Sequence, residues 1–284
     1  MSKVGIVTDT TSCLPPELVK EYGIRIVPVG LVIGGKHYKD TELTNEQFWQ
    51  LFYAANGSST TAAPSLGDFT SIYEELSQSC DGIVCILVSK ALSATFEVAT
   101  QGKDLIKEKN PKLNIEIIDS KTSAGALGFI VLESARAAKA GKNLDEVVQV
   151  ANDMIPRVKF VTAMDTLKYL IKIGRAPKTA VLGDVFGVKP LIGMVSNTGL
   201  VENLGRARGK KKAMSKIVEL AKEHIEPGKP VHAMFHYTDS IAAGEALKQM
   251  VTSQIDCKEV YLTPYTPVMA SATGPVVAFA FYTG

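Results

Sequence analysis

The chain has little of what most specialised proteins need in quantity. It holds one tryptophan, four histidines and four cysteines in 284 residues. Its most apolar stretches, Gly125 to Val131 and Val276 to Tyr282, fall far short of the roughly 20 residues that a helical membrane span requires. Stable membrane insertion is not expected. Met1-Ser2-Lys3 passes directly into Val4-Gly5-Ile6-Val7 with no run of signal-peptide character, so a cytoplasmic location is the expectation. A formal charge of +2 gives no global pull toward nucleic acid or an anionic membrane, and any basic function has to be local. Cys13, Cys80, Cys85 and Cys257 lack the paired spacing of a zinc knuckle or a redox motif and are few for a disulfide framework. They read as buried, reduced thiols.

Familiar catalytic signatures are missing too. Gly205 to Gly209 encloses too few residues for a phosphate loop, and Lys210 is followed by Lys211 rather than Ser or Thr. No G-x-G-x-x-G follows a strand, and there is no G-x-S-x-G nucleophile elbow. His232 and His236 would share a face of a helix. However, Val231 to Tyr237 has the pattern of a strand, on which that spacing separates them by about 13 Å, too far to chelate one ion. No metal or cofactor is expected.

What is present is an α/β rhythm. Lys3 to Thr8 reads as a buried strand, Pro15-Pro16 opens a helix that stops at Gly23, and Ile24 to Ile33 is strand-like, turning at Gly34-Gly35 into Lys36 to Lys39. Thr44 with Gln47, and Ser65 with Asp68, have capping-box spacing ahead of amphipathic helices. Gly82 to Val88 is a continuous apolar run, the mark of a strand covered on both faces. A helix over Leu92 to Lys109, a strand over Leu113 to Ile118 and helices over Thr122 to Ala140 and Leu144 to Ile155 continue the alternation of a parallel sheet. From Lys159 the rhythm changes. Pro190 to Val195 and Leu200 to Leu204 flank the turn Ser196-Asn197-Thr198-Gly199. Helices over Lys211 to His224 and Ala242 to Val251 then alternate with strands over Val231 to Tyr237, Glu259 to Thr263 and Val276 to Tyr282. The expectation is an α/β protein of two domains. A Rossmann-like parallel sheet with helices on both faces occupies residues 1–156, and a mixed-sheet α/β domain occupies residues 157–284.

Small hydroxyl residues gather at predicted strand ends: Thr8-Asp9-Thr10-Thr11-Ser12, Ser89 to Thr95, and Asp119-Ser120-Lys121-Thr122. Ser, Thr and Asp are also the preferred helix N-caps. Three such sets at equivalent ends, with Thr60-Thr61-Ala62-Ala63-Pro64-Ser65 beside them, point to the ligand crevice of an open parallel sheet, suited to a carboxylate or phosphate.

These segments, together with Thr166-Leu167-Lys168-Tyr169-Leu170, Gly174-Arg175, Lys189-Pro190, Arg206 to Lys212 and Ala272-Thr273-Gly274-Pro275, give the chain a sequence that resembles the DegV family, which includes the fatty-acid-binding subunit of bacterial fatty acid kinase. The resemblance implies a long-chain fatty acid in a tunnel between the two domains and no catalysis by the chain alone. It also implies that the carboxylate is presented to a separate fatty acid kinase. The family grips the carboxylate with the first Thr of a T-S-Q-P-S loop, the Ser and next amide of an L-S-G-T turn and the His of an H-T-G-P-G segment. Carried over by position, these are Thr61, Ser93 with the amide of Ala94, and Ala272, with Thr273 beside it. The chain departs from the pattern at Ala63, Ala94, Ala272 and Val276. Losing the His removes a donor to an ionised group, worth about 1.5–3 kcal/mol. Arg175, Arg206, Arg208 and Lys210 are candidates to meet an acidic partner or an acyl phosphate, or to form a solvated basic face. Two other readings stay open: an enzyme acting on a small carbonyl compound or phosphorylated lipid, suggested by a fold related to dihydroxyacetone kinases, and a regulatory module without lipid.

Overall fold

The computed structural model describes residues 3–178 and 187–284. Strand β1 (Val4–Asp9) is buried throughout, and helix α1 (Pro16–Tyr22) follows with Pro16 at its first position, where a missing N–H costs nothing. Next come β2 (Arg25–Val27), β3 (Gly30–Ile33) and β4 (Lys36–Lys39), then α2 (Asn45–Ala54), β5 (Ser59–Ala62) and α3 (Leu66–Ser77). Both expected capping boxes close, Thr44 with Gln47 ahead of α2 and Ser65 with Asp68 ahead of α3. Then follow β6 (Gly82–Leu87), α4 (Thr95–Lys109), β7 (Asn114–Asp119), α5 (Ala124–Lys139) and α6 (Leu144–Met154). The sheet in this half runs in the order β2-β1-β6-β7 with every pairing parallel. Its two central strands are the ones with continuous apolar runs, as a doubly covered sheet requires.

The second half builds β8 (Lys159–Met164), α7 (Lys168–Lys172), β9 (Val188–Met194), β10 (Val201–Arg208), α8 (Lys210–Lys222), β11 (Val231–Tyr237), α9 (Ile241–Thr252), β12 (Cys257–Pro264), α10 (Pro267–Thr273) and β13 (Val276–Thr283). Its six strands lie in the order β10-β9-β8-β13-β11-β12, and only β11 and β12 run parallel. The protein is therefore an α/β molecule with a parallel N-terminal sheet and a mixed C-terminal sheet. Helix α5 is the piece they share. Almost wholly buried, it packs on β1 from one side and β13 from the other. One apolar core runs from Val4 to Tyr282 through it.

The structure differs from the sequence expectation in several places. Ile24 to Ile33 is two strands in two sheets. Pro28 has no N–H to give to a ladder, so β2 stays with the parallel sheet while β3 turns away to pair antiparallel with β4 and β5. The helix expected from Leu92 begins only at Thr95, because Ser89 to Ala94 is spent on a turn. Strand β5 and helices α7 and α10 were not read as elements, being too short to show a period. β10 runs past Leu204 to Arg208 through an irregularity in register between Asn203 and Gly205. All four cysteines are free, but only Cys13 and Cys85 are buried; Cys80 and Cys257 are half-buried.

Candidate functional site

The carboxyl ends of β1, β6 and β7 lie side by side, and their loops are knitted together by the hydroxyl residues that the sequence places there. Asp9 is the knot. Its carboxylate accepts from the Thr11 amide at 2.9 Å, the Thr11 hydroxyl at 2.5 Å and the Val88 amide at 2.9 Å. Burial pushes its pKa up, and these bonds oppose the rise. The Ser89 amide donates to the Thr122 carbonyl at 3.0 Å, and the Ser120 hydroxyl donates to that same carbonyl at 3.2 Å. The Ser89 hydroxyl reaches Gly199, in the turn between β9 and β10, at 2.8 Å. Several of the hydroxyls expected to face a ligand therefore fasten the loops instead.

Above those loops is a cavity of about 310 Å³, within the usual range for a small-molecule site. Its wall is mostly hydrocarbon, including Val29, Phe160, Leu170, Ile192, Met194 and Met269. Thr61, Ser93 and the adjacent Ala272 and Thr273 reach it from three separate segments. Thr61 sits on β5 opposite Leu31 of β3. Helix α10 is held against that strand by the Ser271 hydroxyl, which donates to the Ser59 hydroxyl at 2.8 Å. It is also fixed by the Val268 amide, which donates to Asp40 at 2.8 Å, and this brings Ala272 and Thr61 to one wall. Behind the helix the chain can turn only because residue 274 is glycine. Its φ is +68°, and a Cβ there would lie 2.3 Å from the Tyr169 ring of α7.

The sequence-derived site residues do not all present a donor. Ser93 precedes α4; its oxygen accepts from the Thr95 amide at 3.3 Å and shares a hydrogen bond with the Thr95 hydroxyl at 2.8 Å. Ala94 is the N-cap residue of α4, and the first of the helix amides beside it, that of Thr95, is the one taken by Ser93. Thr273 donates its hydroxyl proton to the carbonyls of Met269 at 2.9 Å and Gly274 at 3.1 Å, leaving none for a ligand. Ala272 presents only a methyl group.

The four basic residues separate into two places. Arg175 lines the cavity; its Nε donates to the Leu92 carbonyl next to Ser93, and one terminal nitrogen donates to the Ile173 carbonyl at 3.3 Å. Arg206 and Arg208 lie exposed on β10, an edge strand, and Lys210 opens α8. Lys210 borders a separate, small depression with Asp165, Lys189 and Asp239. Sequence reasoning did not assign Tyr265 or Thr162 to the site, yet both line it. A threonine within an apolar strand and a tyrosine between prolines are the only signals either carries. His232 and His236 fall on β11, as expected of a strand. His232 meets Glu259 at 2.5 Å, and the described residues contain no group of three potential metal ligands.

Three comparisons bear on this geometry. Residues 3–284 match the profile of the family described as "Uncharacterised protein, DegV family". A DegV domain-containing protein of Clostridium perfringens is 33% identical over 224 residues, 78% of each chain. Among solved structures, a DegV family protein from Thermus thermophilus, described by its fatty acid binding, is 28% identical with a TM-score of 0.89, covering 99% of this chain and 100% of that one. DegV of Bacillus subtilis, described as a fatty acid binding protein, is 24% identical with a TM-score of 0.89 and full coverage of both chains, a likeness of fold.

Proposed function

The chain belongs to the DegV family, and from that premise we propose that it binds a long-chain fatty acid in the cavity at the strand ends and carries it in the cytoplasm without transforming it. The observation that carries this reading is the meeting of Thr61, Ser93 and Ala272 around one hydrocarbon-walled space, from positions far apart in sequence. We place the acyl chain between residues 1–156 and residues 157–284, since both halves contribute to the wall.

The energetics favour the tail as the main source of affinity. Each buried CH₂ is worth about 0.8 kcal/mol, so a long chain gains on the order of 10 kcal/mol before the cost of association. The head group then needs only a modest clamp. The Thr61 hydroxyl, the Ser93 hydroxyl and the amide of Ala94 supply neutral donors. Arg175, held beside Ser93 through the Leu92 carbonyl, supplies a cation on the same side of the cavity. A guanidinium there offsets the methyl of Ala272, since a charge-assisted bond is the stronger kind.

Presentation of the carboxylate to a fatty acid kinase belongs to the same reading. The exposed Arg206, Arg208 and Lys210 lie off the cavity, where they suit an acidic partner rather than the lipid.

Two measurements test the binding. Gentle denaturation of the purified protein followed by lipid mass spectrometry is expected to release a fatty acid. Protein that is empty and also refuses palmitate and oleate would sink the reading. Replacing Thr61→Ala together with Ser93→Ala is expected to weaken palmitate uptake by tenfold or more, on the order of 1.5–3 kcal/mol, with the circular dichroism unchanged. Unaltered affinity in the double variant would remove the clamp.

A further inference from the structure

The serines and threonines of the cavity wall differ in whether their protons are free. Thr11 gives its proton to Asp9, Thr162 to the Val277 carbonyl at 3.1 Å, and Thr273 to the carbonyls of Met269 and Gly274. Ser93 shares a hydrogen bond with Thr95. Ser123 is different. It lines the cavity, is 6% exposed, and its hydroxyl bonds to no described residue. Nor is that hydroxyl sealed off. Among the described residues, the unpartnered side-chain oxygens without accessible surface are those of Thr8, Asp40, Tyr73 and Tyr265, so the little exposure that Ser123 keeps opens on the cavity.

Ser123 is the N-cap residue of α5, a helix of sixteen residues, where a serine hydroxyl ordinarily accepts from a first-turn amide. Here it makes no such bond. The next residue, Ala124, has a φ of +52°, in the left-handed region that a residue with a Cβ enters only at a cost. With the first helical residue out of the right-handed conformation, the usual capping geometry is lost and the hydroxyl is released from the helix. The amide of Leu127 finds the Ser123 carbonyl at 3.3 Å, and the amides before it leave the partial positive charge of the helix end uncompensated by any cap. The turn itself is firmly held. Its Thr122 carbonyl accepts from the Ser120 hydroxyl at 3.2 Å and from the Ser89 amide at 3.0 Å, and the second bond laces it to the loop that carries Ser93.

A buried free donor in front of a positive helix end suits an anion, whereas a hydrocarbon there would leave the hydroxyl bare. We propose that Ser123 is a further binding residue for the fatty-acid carboxylate, donating its hydroxyl proton to a carboxylate oxygen with the N-terminal end of α5 behind it. The proposal rests on the reading of the cavity as a fatty-acid site and deepens it. A carboxylate has about four lone-pair positions, so Ser123 adds to Thr61, Ser93 and Arg175, and it supplies a donor that the methyl of Ala272 does not.

The test compares palmitate with 1-hexadecanol, which has the same tail and no charge, as competitors of radiolabelled palmitate on the full chain at pH 7. Ser123→Ala is expected to weaken palmitate about tenfold and to leave hexadecanol unchanged, because a bond to an ionised group is the stronger kind. The melting temperature is expected to hold, since the hydroxyl bonds to nothing in the protein. Ser123→Asp places a preferred N-cap residue on α5 and a negative charge where the carboxylate is to sit. It is expected to keep the fold and to weaken palmitate further than alanine does, again sparing hexadecanol. Unchanged palmitate affinity in Ser123→Ala would overturn the proposal. Equal weakening of both ligands would do the same, as the sign of a packing role, and the alanine comparison decides alone should Ser123→Asp fail to fold. Either result, with palmitate still bound by the unaltered protein, sinks this proposal and leaves the fatty-acid reading standing. Failure of the unaltered protein to take palmitate sinks both.

Discussion

Asp40 shows how a single buried carboxyl shapes the site it supports. It is 2% exposed; one oxygen accepts from the Val268 amide at 2.8 Å, fixing the start of α10, while the other has no hydrogen-bond partner among the described residues. Burial raises its pKa from 3.8 to about 6, with Thr10, Val268 and Thr266 opposing the rise and Asp9 adding to it. Because the folded value lies above the unfolded one, the folded state holds the extra proton. The associated stability is full below about pH 3.8 and is lost as pH rises through about 6. Asp40→Asn keeps the acceptor for Val268 and removes the charge. It is expected to be more stable than the natural protein at pH 7 by up to about 3 kcal/mol, with the gap narrowing toward pH 4. Urea unfolding at the two pH values checks this, and a gap of the same size at both would refute it. Nothing in the sequence around Asp40 announces such a role, because the burial comes from α10, more than two hundred residues away. Thr61 and Ser93 were carried over from the family resemblance, on segments already marked out by their hydroxyls, and both line the cavity. Tyr265 was not legible, since its neighbours acquire meaning only when β8 and α10 close around it.

At the scale of elements, α5 illustrates what periodicity can and cannot convey. The span Thr122 to Ala140 reads as a helix from its apolar pattern, and the helix forms at Ala124–Lys139. The pattern does not say that both sheets press on it. Gly125 and Gly128 mark the contacts: a Cβ on Gly128 would lie 2.8 Å from the Ser12 carbonyl, and one on Gly125 would lie 2.4 Å from His236 Nε2 and 2.9 Å from the Ala280 Cβ. Helix propensity alone favours alanine at either position by about 1 kcal/mol. Packing opposes it, since overfilling a tight core costs about 1–3 kcal/mol and the Ser12 carbonyl is backbone that cannot swing aside. Gly128→Ala and Gly125→Ala are each expected to lower the melting temperature, and a stabilised Gly128→Ala protein would show that α5 is not clamped as described. Elements with a long period were readable for this reason, while β5, α7 and α10, each only a few residues long, owe their form to neighbours and were not.

For the whole molecule, the α/β alternation and the change of rhythm near Lys159 were visible in the chain, but the degree to which the two halves are joined was not. Beyond α5, a polar seam ties them. Arg136 on α5 pairs with Glu133 at 2.7 Å and with Glu259 of β12, while the Tyr282 hydroxyl donates to Glu133 at 2.8 Å. Burial alone would raise the Glu259 pKa, yet the bonds from Arg136, His232 and Tyr261 bring it down to about 2, so Glu259 stays ionised through the neutral range. Trp49, the single tryptophan, sits on α2 and donates to the Thr238 carbonyl in the second half at 3.4 Å, which places a fluorescent probe on the junction. A shared core and a shared seam predict one unfolding transition rather than two, with tryptophan fluorescence and far-ultraviolet circular dichroism changing together. A fatty acid bound as proposed, walled in by both halves, would then stabilise them as a unit. At a free concentration of palmitate one hundred times its dissociation constant, linkage contributes about 2.7 kcal/mol. For a chain of this size that corresponds to a rise of roughly 5 °C in the melting temperature. The shift is expected to move both probes equally and to shrink at the same palmitate concentration when Thr61 and Ser93 are both replaced by alanine. Two separated transitions, or a lipid-dependent shift confined to one probe, would mean that the cavity is not closed by both halves.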